Sequence, residues 1–261
     1  MNIWSDVDRA SDPQAAVDWQ QKMAEWPFCR AYKARTIELL ELEQGDRVLD
    51  LGCGPGADLM PLAHAVGAAG KVFGVDCSER MVERAQHSHR EHANITITKG
   101  DAHDLRFSSD YFDACRADRL FQHLSHPIKA LKELLRVTKS GGRIAIVDPD
   151  QSTLEIGVDA GHITERIANY RKGHAANPTI ASEIGGMLAT LAPVSTHTEQ
   201  YTLVLTNPED AFGLLEWPQM LRAEGKLTDE EISIWQSELQ HTIERGSFFY
   251  RVTFLITCAK L

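Results

Sequence analysis

The sequence predicts an α/β protein built on a doubly wound, mostly parallel sheet, and two patterns carry that expectation. Between Asp46 and Pro149 short apolar runs alternate with amphipathic ones: RVLDL, DLMPLAHAVG, KVFGVD, SERMVERAQHSHREH, NITITKGD, YFDACRAD, PIKALKELLRVTKSGG and RIAIVDPD. Strand and helix alternate in this way when right-handed crossover units build a parallel sheet. The second pattern is a glycine triplet, Gly52, Gly54 and Gly56, where the first strand hands over to a helix. At 261 residues, 43% hydrophobic and 25% charged, the chain is long enough for one large domain with a sizeable core.

In chain order, residues 1–45 read as a helical cap, with Pro13 in a tolerated first-turn position and Pro27 dividing the segment into two helices. Residues 46–150 hold the alternating core. Its clearest helix is PIKALKELLRVTKSGG, where Ile128, Leu131, Leu134, Leu135 and Thr138 form one apolar stripe. Pro127 suits the start of that helix, and Gly141 or Gly142 its left-handed stop. Residues 151–193 read as two helices that interrupt the alternation, and STHTEQYTLVLT reads as a strand. NPEDAFGLLEWPQMLRAEG and LTDEEISIWQSELQHTIERG read as two more helices, the second opened by Thr228 and Glu231 at capping-box spacing. SFFYRVTFLITCAK closes the chain as a strand.

The net charge of −10 argues against nucleic acid as the main partner, because phosphate binding needs a basic footprint. The five cysteines include no CxxC pair, and a reduced, cytoplasmic setting fits them. MNIWSDVDRASDPQ has neither the basic nor the apolar region of a signal peptide, and no apolar run reaches membrane-spanning length.

The glycine triplet lets the backbone turn with unusual torsions and leaves no side chain to hold a ligand away, while the following helix, beginning near Ala57 and Asp58, points free N–H groups into the same space. The spacing is G-x-G-x-G, not the G-x-G-x-x-G of dinucleotide sites. Asp76, 22 residues after Gly54 at the end of the next strand, suits a ribose, since a carboxylate there accepts both hydroxyls. Its alternative is to cap the helix near Glu79, a part Ser78 fills equally well. Asp101, at the end of the third strand in KGDAHDL, suits an adenine edge or a plain turn.

Together, VLDLGCGPG, GVDCS, GDAHDLRF, YFDACRADRLFQHL and LLRVTKSGGRIAIVDPD, from about Arg47 to Asp150, resemble the class I S-adenosylmethionine-dependent methyltransferases, and most closely the small-molecule branch related to ubiquinone and menaquinone methyltransferases. The resemblance implies a Rossmann-like sheet of seven strands, the last antiparallel, with helices on both faces and a helical lid. It implies S-adenosyl-L-methionine as cofactor, with Gly52, Cys53 and Gly54 against the methionine part, Asp76 on the ribose, and Asp101 with Ala102 on the adenine. Asp50, Cys77, Met81, Arg30 and Ala117 complete the expected cofactor set. Residues 151–261 then supply lid helices plus the last strands, the partner is a small organic molecule, and a homodimer is admitted.

His123, in RADRLFQHLSHP after the fourth strand, is the candidate base or orienting group for an acceptor, with packing on the helix as the alternative. Arg116 and Arg119 suit the cofactor carboxylate, an acidic substrate, or ordinary ion pairs, and Arg30 and Lys33 invite the same reading. RADR stands where amino-directed nucleic-acid and glutamine methyltransferases carry an Asn-Pro-Pro-Tyr motif, which leaves O, N or C of a small molecule as target. His87, His89 and His92 do not share one helix face, and no metal is expected. Trp4, Trp19, Trp26, Tyr32 and Trp217 are expected in core or lid. The competing functions are a nicotinamide-dependent oxidoreductase, disfavoured by the glycine spacing, and a non-catalytic subunit that keeps the cofactor pocket.

Overall fold

The computed structural model describes Asp8 and residues 13–261, so Trp4 lies outside the described residues. Seven strands form a single sheet in the order β3-β2-β1-β4-β5-β7-β6. They are β1 (Arg47–Leu51), β2 (Lys71–Asp76), β3 (Ile95–Lys99), β4 (Phe112–Asp118), β5 (Thr138–Ile156), β6 (Ser195–Leu205) and β7 (Tyr250–Lys260). The first five run parallel, and β7 is antiparallel to both β5 and β6. This is the doubly wound sheet with an antiparallel last strand that the resemblance implies.

Side-chain alternation along the strands separates two layers of core. Val48, Ala114 and Ala145 face one side, with Leu59, Leu62 and Val66 of α3 (Leu59–Val66) and Val82 and Ala85 of α4 (Glu79–His89). Leu49, Leu51, Cys115, Ala117, Ile144 and Ile146 face the other, against Leu131 and Leu134 of α5 (Pro127–Val137) and Ile180, Ile184 and Leu188 of α7 (Ile180–Leu191). α7 therefore covers the sheet beside α5, a different place from the lid expected of residues 151–193. Strands buried on both faces read as near-continuous apolar runs, and VLDL and RIAIV do so.

A third cluster sits at the outer end of the sheet. It joins α1 (Pro13–Ala24), α2 (Pro27–Leu39), α6 (His162–Lys172), α8 (Trp217–Ala223) and α9 (Asp229–Glu244) to β5 and β7, through Met23, Tyr32, Ile167, Trp217, Trp235, Tyr250 and Phe254. Pro27 divides α1 from α2, and Thr228 opens α9 with a complete capping box, as their sequences predict.

Two expectations need correction. α5 stops at Val137, and Thr138 begins β5 opposite Phe112, so Gly141 and Gly142 lie within the strand and stop no helix. A strand register shift between Phe112 and Ala114 accommodates them, and Ile128 is 49% exposed, off the apolar stripe. The segment from Asn207 to Gly225 is not one helix either. A 3₁₀ turn at Pro208–Asp210 and left-handed Phe212 (φ 55°) and Gly213 (φ 83°) precede a short α8.

Candidate functional site

A cavity of about 540 Å³ opens at the carboxyl ends of β1, β2 and β4, where the strand order reverses. That switch point is where open α/β sheets bind ligands. Its floor is the glycine turn. Gly52 and Cys53 both donate their N–H to the Val75 carbonyl (2.7 and 3.1 Å), tying the turn to β2. Gly54 has φ +52°, and a Cβ there would meet no protein atom within 4 Å, so its bare face looks onto open cavity. Gly56 is tight instead: a Cβ would come within 2.9 Å of His89, whose Nε2 lies 2.8 Å from the Gly56 carbonyl oxygen.

Asp76 ends β2 within this floor. One carboxylate oxygen accepts the Gly54 N–H and the other the Ser78 N–H, each at 2.9 Å. Burial pushes its carboxyl above the usual range, against the pull of those two N–H groups. Among the described residues no cation pairs with it, so its remaining lone pairs are free for hydroxyl donors. It does not cap α4: Ser78 does, accepting the Met81 N–H at 3.2 Å. Asp8 closes over the same corner, accepting from the Ser78 hydroxyl (2.6 Å) and the Glu79 N–H (2.8 Å) at the positive end of α4.

Asp101 lies two residues past Lys99, the register partner of Asp76, so the two carboxylates share one rim of the cavity. Asp101 accepts the His103 N–H (2.8 Å) and sits 2.6 Å from His103 Nδ1, contacts that hold its carboxyl below the usual range. His103, with a buried Nε2 that has no protein partner, also lines the cavity. Cys53, Met81 and Ala102 line it as buried residues. Cys77 lines it too, its thiol pushed up to about 11 by burial beside Asp76.

Behind the glycine turn lies a buried charge cluster. Arg116 is fully buried and donates to Asp50 (3.0 Å), Asp58 (3.1 Å) and Asp118 (3.1 Å). Lys33 pairs with Asp58, and with Asp118 at 2.7 Å; the Tyr32 hydroxyl donates to Asp118 at 3.2 Å. Burial alone would raise the Asp118 carboxyl, but Lys33, Arg116 and Arg119 hold it well below the usual range. Burial wins at Asp50, pushed up to about 6 despite Arg116. Asp50 thus reaches the cavity as a carboxylate already engaged by Arg116.

Two predicted cofactor residues lie elsewhere. The buried stripe of α2 is Cys29, Tyr32, Lys33 and Thr36, at helical spacing; Arg30 falls beside it, 67% exposed and paired with Glu25. Ala117 is fully buried on the α5 side of β4, because strand alternation sends Arg116 and Asp118 to the cavity and its own methyl to the core.

His123 ends a 3₁₀ turn, Phe121–His123, that is pinned by two side chains. Buried Asp148 accepts the N–H of Phe121 (3.0 Å) and Gln122 (3.3 Å), while the Asn177 amide donates to the Phe121 and Leu124 carbonyls (3.0 and 2.7 Å). Burial pushes Asp148 up to about 8. It also pushes the His123 imidazole down to about 3, with Arg171 and Arg119 adding positive repulsion. The ring is therefore neutral near pH 7. Trp19, Gln151, Arg171, Phe212, Tyr250 and Phe254 complete this end of the cavity, and the sequence pattern singled out only Trp19 among them.

A family model described as a methyltransferase domain matches residues 42–246. The chain belongs to the methyltransferase domain family. Among curated proteins it is similar to an uncharacterized 37.1 kDa protein of transposon Tn4556 from Streptomyces fradiae, 32% identical over 69% of this chain and 54% of that protein. It is also similar to the demethylmenaquinone methyltransferase of Staphylococcus carnosus, 30% identical over 49% of this chain and 53% of that enzyme. The chain thus spans about half the length of the curated relatives it matches. Among solved structures, the YcgJ protein of Bacillus subtilis shares the fold, with TM-score 0.63 and 20% identity over 88% of this chain and 98% of that one. As a family member, the methyltransferase domain here has the sheet, the glycine turn and the two rim carboxylates in one cavity. Among the described residues no helix is long and apolar enough to cross a membrane.

Proposed function

We propose that this chain is a methyltransferase that moves the methyl group of S-adenosyl-L-methionine to an O, N or C atom of a small organic acceptor. The observation that carries the reading is Asp76: a buried carboxylate held by two backbone N–H groups, free of any cation among the described residues, facing a cavity floored by bare glycine. That acceptor fits the hydroxyls of a ribose, and the open face of Gly54 fits the close approach of the adjoining chain of the cofactor. Asp101 and Ala102 bound the adenine end, with Cys77 and Met81 beside the sugar. Bound S-adenosyl-L-methionine supplies a methyl group on a cationic sulfonium, whose departure as a neutral thioether provides much of the driving force.

What the protein contributes is alignment, worth about 7–11 kcal/mol when reactants are held in attack geometry. The pinned Phe121–His123 turn does this at the acceptor end. With its proton affinity pushed to about 3, His123 is a weak base near pH 7 and acts as a neutral hydrogen-bonding group that orients the acceptor. An acidic chain of net charge −10 is consistent with a small molecule and not nucleic acid as the acceptor, and four buried, unpaired cysteines support a cytoplasmic setting.

The test is calorimetric titration with S-adenosylhomocysteine. The protein binds it, and Asp76→Ala weakens binding at least about tenfold, the loss of charge-assisted hydrogen bonds worth roughly 1.5–3 kcal/mol. Equal binding by the variant would refute the assignment of Asp76, and no binding by the native protein would refute the function.

A further inference from the structure

The two ends of the cavity differ in charge. Asp76 and Asp101 stand at the glycine end with no Lys or Arg paired to either among the described residues, whereas Arg119 and Arg171 stand at the other. Arg119 is partly engaged: one guanidinium nitrogen donates to Gln20 (2.6 Å), and another lies 3.7 Å from Asp118. It also sits at φ 53°, a left-handed conformation that a residue with a Cβ keeps where its surroundings impose it. Arg171 is different. It comes from the last turn of α6, and among the described residues no carboxylate pairs with it. A cation favours any helix C-terminus, but Lys172 supplies one there without lining the cavity.

Arg171 is stationed over an aromatic surface. Its guanidinium lies 5.9 Å from the Phe212 ring centre; Phe212 packs on Tyr250 (5.5 Å) and edge-on to Trp19 (6.0 Å). Beside them Gln151 is 1% exposed, and its side-chain oxygen has no protein partner, so one buried acceptor awaits a donor. A half-buried, unneutralised guanidinium above aromatic faces matches a ligand that carries an anion on a flat apolar body. The volume sets its size. Cavities of roughly 300–1,000 Å³ take one drug-sized ligand, and here about 540 Å³ serves cofactor and acceptor together.

Building on the methyl-transfer reading, we propose that the acceptor is a small aromatic monocarboxylate whose carboxylate is received by Arg171 and whose ring lies against Phe212, Tyr250 and Trp19. A single carboxylate matches the one guanidinium on this wall that no carboxylate neutralises among the described residues, its side-chain contact being with the Tyr250 hydroxyl; a phosphate dianion would bury a second charge without a second such cation. A hydroxyl or amine donor on the ring meets the Gln151 oxygen.

The experiment uses the full chain saturated with S-adenosylhomocysteine, titrated in a calorimeter with 4-hydroxyphenylacetate, its methyl ester, tyramine and 4-hydroxybenzylphosphonate. The acid binds at least about tenfold more tightly than the ester, and tyramine most weakly, as expected for a charged hydrogen-bonded pair. Arg171→Met removes about tenfold or more of the acid's affinity while ester and S-adenosylhomocysteine binding stay within about twofold, which shows that the variant is folded. Arg171→Lys restores part of the loss. Equal binding of acid and ester, no binding of the acid, tighter binding of the phosphonate, or an unchanged acid affinity in Arg171→Met would each overturn the proposal. Failure of the methyl-transfer reading shows separately, at the saturation step, before any probe is added.

Discussion

The glycine end and the lid end of the cavity are built by different means. The glycine end is one continuous stretch of backbone and strand tips, Asp50 to Ala57 with Asp76 and Asp101, whose positions follow from the registers of β1, β2 and β3. The lid end gathers Trp19, His123, Arg171, Phe212 and Tyr250 from five separate elements, held by aromatic packing and by the Asp148 and Asn177 hydrogen bonds. On the proposed reading, the backbone cradle serves the cofactor and the side chains gathered at the other end serve the acceptor.

Substitutions that act on only one end break or sharpen that contrast. The largest effect is expected at the charge cluster behind the glycine turn. Arg116→Met leaves Asp50, Asp58 and Asp118 short of a cation, and urea denaturation should show a loss of about 3–5 kcal/mol, the cost of breaking a buried ion pair. Arg171→Met, at the lid end, should shift the same curve by about 1 kcal/mol or less. Similar losses from both would mean that the two ends are one structural unit.

Gly54→Ala comes next. No atom stands in the way of the new methyl, so the expected cost is conformational, about 1–2 kcal/mol of stability for a left-handed alanine. S-adenosylhomocysteine affinity should fall as well, because the methyl projects into open cavity; binding unchanged by calorimetry would show that the ligand does not approach this turn.

The last effect is a pH dependence at the lid end, negligible above about pH 6.5 and growing as the pH falls below it. The folded-state pKa of His123 is depressed to about 3 while the unfolded chain titrates near the ordinary 6.5. Below about pH 6.5 the unfolded chain therefore takes up a proton that the folded one refuses, and this part of the stability is lost as pH falls from 6.5 toward 3. Thermal denaturation across that range should show a shallower acid-side decline in His123→Gln than in the native protein. Parallel declines would show that His123 is not desolvated.

The same contrast decides what the sequence reveals. Gly52, Gly54, Asp76 and Asp101 are legible because strand–turn–helix grammar ties position to chemistry within a few residues. Arg116 and Ala117 are adjacent on one strand, and only the alternation of its faces sends one to the cavity and the other to the core. Arg30 misleads because the stripe of α2 passes one residue beyond it. The alternation of faces in RADR and the stripe of α2 were both readable, and would have favoured Arg116 over Ala117 and Lys33 over Arg30. Arg171, Phe212 and Tyr250 carry no such signal. They meet across more than 75 residues of chain, through packing that no local pattern encodes. The Asn207–Gly225 segment hides its Phe212–Gly213 turn inside helical composition, which is why the wall it forms is visible only in the fold.

A crystal structure of the protein with S-adenosylhomocysteine tests the central claim most directly. The ribose hydroxyls should lie within hydrogen-bond distance of Asp76, the adenine beside Asp101 and Ala102, and the sulfur should face the end that carries His123 and Arg171. A ligand seated with its ribose away from Asp76, or with its sulfur turned from the lid, would contradict the division of the cavity on which the account stands.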